Sequence, residues 1–190
     1  MTQYNVFGPY DVPVELKVAT KKRVSKRIVN RQTSPEEEAN GIVGLSSWWG
    51  QEERSRLRSC TGCYVFAIRA GKGYTPWYVG KTSRLTFEKE AFTPRNVDMM
   101  NDVLAAGKGT LVLFLISTGR AKTNDKHVDE IETWLIGQAL VANAELKNVQ
   151  KTKKPEWVIG GLKCPGKKAQ TGPAAELART LNLTNSKKKA

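Results

Sequence analysis

Acidic residues are scarce in this chain, histidine is almost missing, and no apolar run is long. The longest run, Leu111 to Ile116, falls far short of the roughly 18 residues a membrane helix needs, so no membrane span is expected. The opening MTQYNVFGPYDV lacks a basic stretch followed by an apolar one, so no secretory signal is expected either. Three cysteines, an odd number, make no disulfide framework and suit an intracellular, reducing setting, cytoplasmic or nucleoid-associated. The single histidine, His127, leaves Cys60, Cys63 and Cys164 as its companions in any zinc site. Cys60-Thr61-Gly62-Cys63 has zinc-knuckle spacing, but it runs into a strand pattern whose alternate side chains diverge, and no second close pair follows. Structural zinc is therefore not expected. No internal repeat is present.

Basic residues are abundant. Lys and Arg number 31 against 18 Asp and Glu, a formal net charge of +13. That excess points to polyanionic partners, DNA first and RNA second, through phosphate contacts and counterion release. Two stretches concentrate it. Between residues 17 and 31 stand Lys17, Lys21, Lys22, Arg23, Lys26, Arg27 and Arg31 with no acidic residue among them. Residues 146–190 hold eleven basic side chains, Lys151, Lys153 and Lys154 among them, against two acidic ones. Lys21, Lys22, Arg23, Lys26, Arg27, Lys81, Arg95, Lys151, Lys153 and Lys154 are the expected nucleic-acid contacts, with a plain solvated surface the alternative for the first stretch.

The element pattern is α+β, a mixed α/β layer. Phe7-Gly8-Pro9-Tyr10 reads as a turn, and Val12, Val14, Leu16 and Val18 alternate as one strand. Ser34-Pro35-Glu36-Glu37-Glu38 reads as a helix start. Trp48-Trp49 suits core filling better than base stacking. In Tyr64 to Arg69 apolar residues alternate, Ala70-Gly71-Lys72-Gly73 forms a turn of four residues or more, and Tyr74 to Lys81 returns, a β-hairpin. A short helix follows over 86–92 and a second from Thr93-Pro94 to Ala106, stopped by Gly107-Lys108-Gly109. Thr110 to Thr118 is continuously apolar, the mark of a strand buried on both faces. Asn124 or Asp125 caps a helix over 126–143 whose Val128, Ile131, Leu135 and Ala139 form one stripe, with Glu132 at its edge. Beyond it, Trp157-Val158-Ile159 suits an edge strand, residues 174–181 a short helix, and Lys187-Lys188-Lys189 a disordered end. The expected division is a basic extension over 1–58, a domain over 59–150 and a second basic extension over 151–190.

Within that domain the sequence resembles the GIY-YIG nuclease family. Gly62-Cys63-Tyr64 resembles the first triplet, and Tyr78-Val79-Gly80, continued by Lys81-Thr82, the second. Glu132 falls on the second long helix, where the family carries its metal-binding glutamate, and Asn148 follows at the place of its asparagine. The resemblance implies a small sheet with flanking helices in the order β-β-α-β-α. It also implies hydrolysis of DNA phosphodiester bonds assisted by Mg²⁺ or another divalent cation held by Glu132. Tyr64 or Tyr78 would help activate water, and Asn148 would orient the site. An arginine would neutralise charge on the phosphate.

That arginine is the point of departure. Its place on the first helix reads Phe87-Glu88-Lys89-Glu90, so Arg84, Lys89 or Arg95 would have to supply the cation. Two readings follow: a divalent-metal endonuclease, or a scaffold that kept nucleic-acid binding and lost the reaction. A protein-interaction module is a more distant third.

Overall fold

The structure, a computed structural model, describes residues 2–19, 24–29, 44–71, 73–82, 84–106 and 108–151. For residues 17–19 and 24–26 only the backbone is described. The helix starting at Ser34, the expected elements over 157–159 and 174–181, the Lys187 to Lys189 end, and Lys21, Lys22, Arg23, Lys153, Lys154 and Cys164 lie outside the described residues. In chain order come β1 (Asn5–Asp11), β2 (Val14–Ala19), β3 (Val24–Val29), α1 (Leu45–Gly50) and α2 (Glu52–Ser55). Then follow β4 (Gly62–Ala70), β5 (Gly73–Thr82), α3 (Phe87–Glu90), α4 (Pro94–Ala106), β6 (Thr110–Ser117) and α5 (Asp125–Ala142). The fold is α+β.

Strands β1, β6, β4 and β5 form one antiparallel sheet in that order, and β2 and β3 pair separately. The apolar run of β6 is explained by its place between β1 and β4: Leu111, Val112, Leu113 and Leu115 are all fully buried. Each such side chain contributes roughly 1.5–3 kcal/mol of burial. Strand alternation then separates two faces. Tyr64, Phe66 and Ile68 of β4, with Leu111, Leu113 and Leu115 of β6, pack against Trp48, Trp49, Phe87, Phe92, Met100 and Leu104. On the other face Cys63, Val79 and Ile116 meet Val128, Ile136 and Ala139 of α5. Helix α5 starts where its cap is: the Asn124 carboxamide oxygen accepts from the Lys126 and His127 amides. Among the described residues no helix is long and apolar enough to cross a membrane.

Four expectations change. Phe7 to Tyr10 lies inside a strand, because pairing with β6 absorbs the irregularity as a register shift between Phe7 and Tyr10. Val12 consequently falls between β1 and β2 and not within one strand. The hairpin turn is shorter than four residues, since Ala70 already pairs with Gly73. Finally, the N-terminal segment is no extension: β1 completes the sheet, Trp48 and Trp49 are 2% exposed in the main core, and residues Met1–Thr152 make one compact unit. Trp48 and Trp49 meet edge to face, 4.8 Å between ring centroids, so they fill core and are not free to stack bases.

Candidate functional site

Glycine places the first triplet. A Cβ on Gly62 would fall 2.1 Å from the Ile116 carbonyl oxygen, and its φ is +154°, so only glycine lets β4 lie this close to β6. Glycine also joins the two triplets. Tyr64 and Gly80 are direct partners in the β4–β5 ladder, and the Tyr64 ring lies over Gly80. The ring is 2% exposed, against Phe66 at 5.8 Å and Tyr78 at 6.1 Å between centroids.

The Asn96 amide donates to the Tyr64 hydroxyl at 3.0 Å, and the Tyr64 and Tyr78 rings lie tilted beside each other. Burial, then the neighbouring Tyr78, pushes the Tyr64 phenol far above its ordinary range. Tyr78 is half-buried, and burial raises it too, against the lowering effect of the neighbouring Tyr64 and of the Arg95 charge. Glu132 and Glu90 act on Tyr78 in the opposite sense. Charges on α4, at Arg95, and on α5, at Glu132, thus both act on Tyr78.

Among Arg84, Lys89 and Arg95, the candidates for the missing cation, Arg95 is the one whose charge bears on Tyr78. All three are exposed. Glu88 is directed to Arg58, 3.4 Å from its Nε, whereas the Glu90 charge acts on both tyrosines. Arg27, expected on phosphate, instead serves the structure, its guanidinium donating to the Leu104 and Gly109 carbonyls at the end of α4.

Glu132 lies at the margin of the α5 apolar face, its side chain 13% exposed. Lys151 Nζ stands 2.8 Å from Glu132 Oε2 and 2.6 Å from Asp129 Oδ1, while Lys81 Nζ is 2.5 Å from Asp129 Oδ1 and 3.7 Å from Glu132. Hydrogen bonds from Lys151 and then Lys81 pull the Asp129 carboxyl down to about 2. Among the described residues no three His, Cys, Asp or Glu side chains converge as metal ligands. With an ammonium hydrogen-bonded to the one carboxylate the resemblance assigns to a divalent ion, these residues do not fit that ion. Cys60 and Cys63 belong to different clusters, their thiols directed to the Arg56 and Val128 carbonyls. Burial, then Glu132, pushes the Cys63 thiol up to about 12.

Asn148 touches neither tyrosine hydroxyl. Its amide donates to the Val79 carbonyl at 2.7 Å and its oxygen accepts from the Val79 amide at 2.9 Å, imitating a neighbouring strand along the β5 edge. Lys147 and Asn143 continue that cover through the Trp77 and Pro76 carbonyls. Asn148→Ala is expected to cost about 1–3 kcal/mol in urea unfolding and to speed amide exchange at Val79. Unchanged exchange there would mean the edge is held otherwise.

Two members of the site escape the sequence reading. Asp129 precedes Glu132 by one helical turn, a spacing that was available as a signal. Asn96 carried none beyond its place in the first turn of α4. No family model, no curated protein and no solved structure matches the chain.

Proposed function

We propose that this chain is a nucleic-acid-binding module, holding the phosphodiester backbone of DNA before RNA on a GIY-YIG-like scaffold. The observation that carries this reading is the state of Glu132, whose carboxylate is engaged by two lysine ammonium groups in a chain of net charge +13. Lys81, beside Glu132, and Arg95, whose charge acts on Tyr78, are the cations with capacity for a phosphate. Seven units of the net charge fall on residues 152–190, nine basic against two acidic side chains, which supply the non-specific grip.

Fluorescence anisotropy with labelled duplex and single-stranded probes tests this. Binding is expected to persist in EDTA and to weaken steeply as salt rises, with Arg95→Ala lowering the log–log salt slope by about 1. Negligible affinity at physiological salt would remove the proposal and favour a protein partner instead.

A second reading, a Mg²⁺- or Mn²⁺-dependent endonuclease, is favoured by one observation, the Arg95 charge that acts on Tyr78. There Arg95 would stabilise charge building on a phosphate. Metal-dependent nicking that disappears in Glu132→Ala would establish that reading in place of binding alone.

A further inference from the structure

A carboxylate as enclosed as Glu132 needs a counter-cation, because an unpaired charge at the edge of an apolar face is costly. The chain provides one of its own. Lys151 Nζ reaches three acceptors, Glu132 Oε2 at 2.8 Å, Asp129 Oδ1 at 2.6 Å and the Asp129 carbonyl at 3.5 Å. An ammonium has three donors, so all of them are engaged, and Lys151 has none left for a phosphate. Lys81, bonded to Asp129 alone at hydrogen-bond distance, keeps donors free. The expected role of Lys151 as a nucleic-acid contact therefore changes.

Its backbone points the same way. Lys151, at φ +60°, is the one non-glycine residue with positive φ among the described residues. Such a conformation persists where surrounding contacts over-determine it. The contacts at hand are the two carboxylates ahead of it and, three residues earlier, the Asn148 clasp on Val79 that fixes where the segment leaves the β5 edge.

We propose that Lys151 is the resident cation of this site: its ammonium takes the place at Glu132 that the resemblance assigns to a divalent ion. The site then meets phosphate without a metal, and a divalent ion gains Glu132 only when Lys151 is removed. This deepens the binding reading and rests on the same carboxylate, but its test needs no nucleic acid, so the two fail separately.

Mn²⁺ titration of the full chain, followed by electron paramagnetic resonance, decides. Wild type and Lys151→Arg are expected to show no Mn²⁺ binding that depends on Glu132. Lys151→Met, with the circular dichroism of wild type, is expected to gain one Mn²⁺ site at least about tenfold tighter than any residual Mn²⁺ binding of wild type, since removing a unit charge a few ångströms from the ion is a large electrostatic change. Adding Glu132→Gln to that variant should abolish the gain. A folded Lys151→Met that gains no Mn²⁺ overturns the proposal. If Lys151→Met does not fold, comparison of wild type with Glu132→Gln decides instead. Mn²⁺ binding to wild type that Glu132→Gln removes overturns the proposal, and its absence supports it.

Discussion

Gly80→Ala is expected to cost about 3 kcal/mol, near the upper end of what overpacking a core position does. The new Cβ would fall 2.3 Å from Tyr64 Cζ, 2.4 Å from its hydroxyl oxygen and 2.7 Å from Cε2. The ring has nowhere to go: it is buried against Phe66, and its hydroxyl is tied to Asn96. Backbone strain has no part in this, since Gly80 is not among the positive-φ glycines. Urea unfolding of a double-mutant cycle separates packing from other causes. Tyr64→Ala alone is costly, but Gly80→Ala added to it should cost little more, whereas Tyr64→Phe should give no relief because Cζ remains. Strict additivity of Gly80→Ala with Tyr64→Ala would mean the ring does not lie over Gly80.

That coupling joins two short triplets on adjacent strands of one hairpin. Each depends on the other through one ladder pair, Tyr64 with Gly80, so the aromatic and the glycine are both required. The hairpin, β6 and α5 were legible because burial imposes a period: two in the strands, three to four in the helix, and none in a strand enclosed on both sides. Strand β1 was not. Its partner β6 lies about a hundred residues downstream, and the local Gly8-Pro9 signal for a turn gave way to a long-range ladder. The charged residues were legible as a set and not individually. Arg27 caps α4, Lys151 is held by carboxylates, and the Arg95 charge acts on Tyr78, yet in the sequence the three are alike. Which cation is engaged depends on where a carbonyl or carboxylate ends up, and that is a property of the assembled sheet.

Asn96 is the residue on which the tyrosine pair depends most, and its substitution is expected to be the more damaging for being polar. The side chain is 5% exposed, and its amide nitrogen donates to the Tyr64 hydroxyl at 3.0 Å and to the Glu90 and Ala91 carbonyls at 3.1 Å each. One group thus closes the end of α3 and holds the Tyr64 hydroxyl. Asn96→Leu removes the donor and leaves these buried oxygens unpaired, an expected loss of about 3 kcal/mol. Asn96→Asp keeps the shape but turns a carboxylate oxygen toward the Glu90 and Ala91 carbonyl oxygens, so at neutral pH it should be less stable than Asn96→Leu. The introduced carboxyl would have its folded pKa raised above the unfolded value. Its penalty is therefore present at high pH and is relieved as pH falls through the folded pKa, where protonation restores a donor. Urea midpoints of both variants at neutral and acidic pH check this: the Asp variant should gain on the Leu variant as pH falls. Equal midpoints at both pH values would mean the Asn96 amide does not point at these oxygens, and the Tyr64–Tyr78 pair would need another anchor.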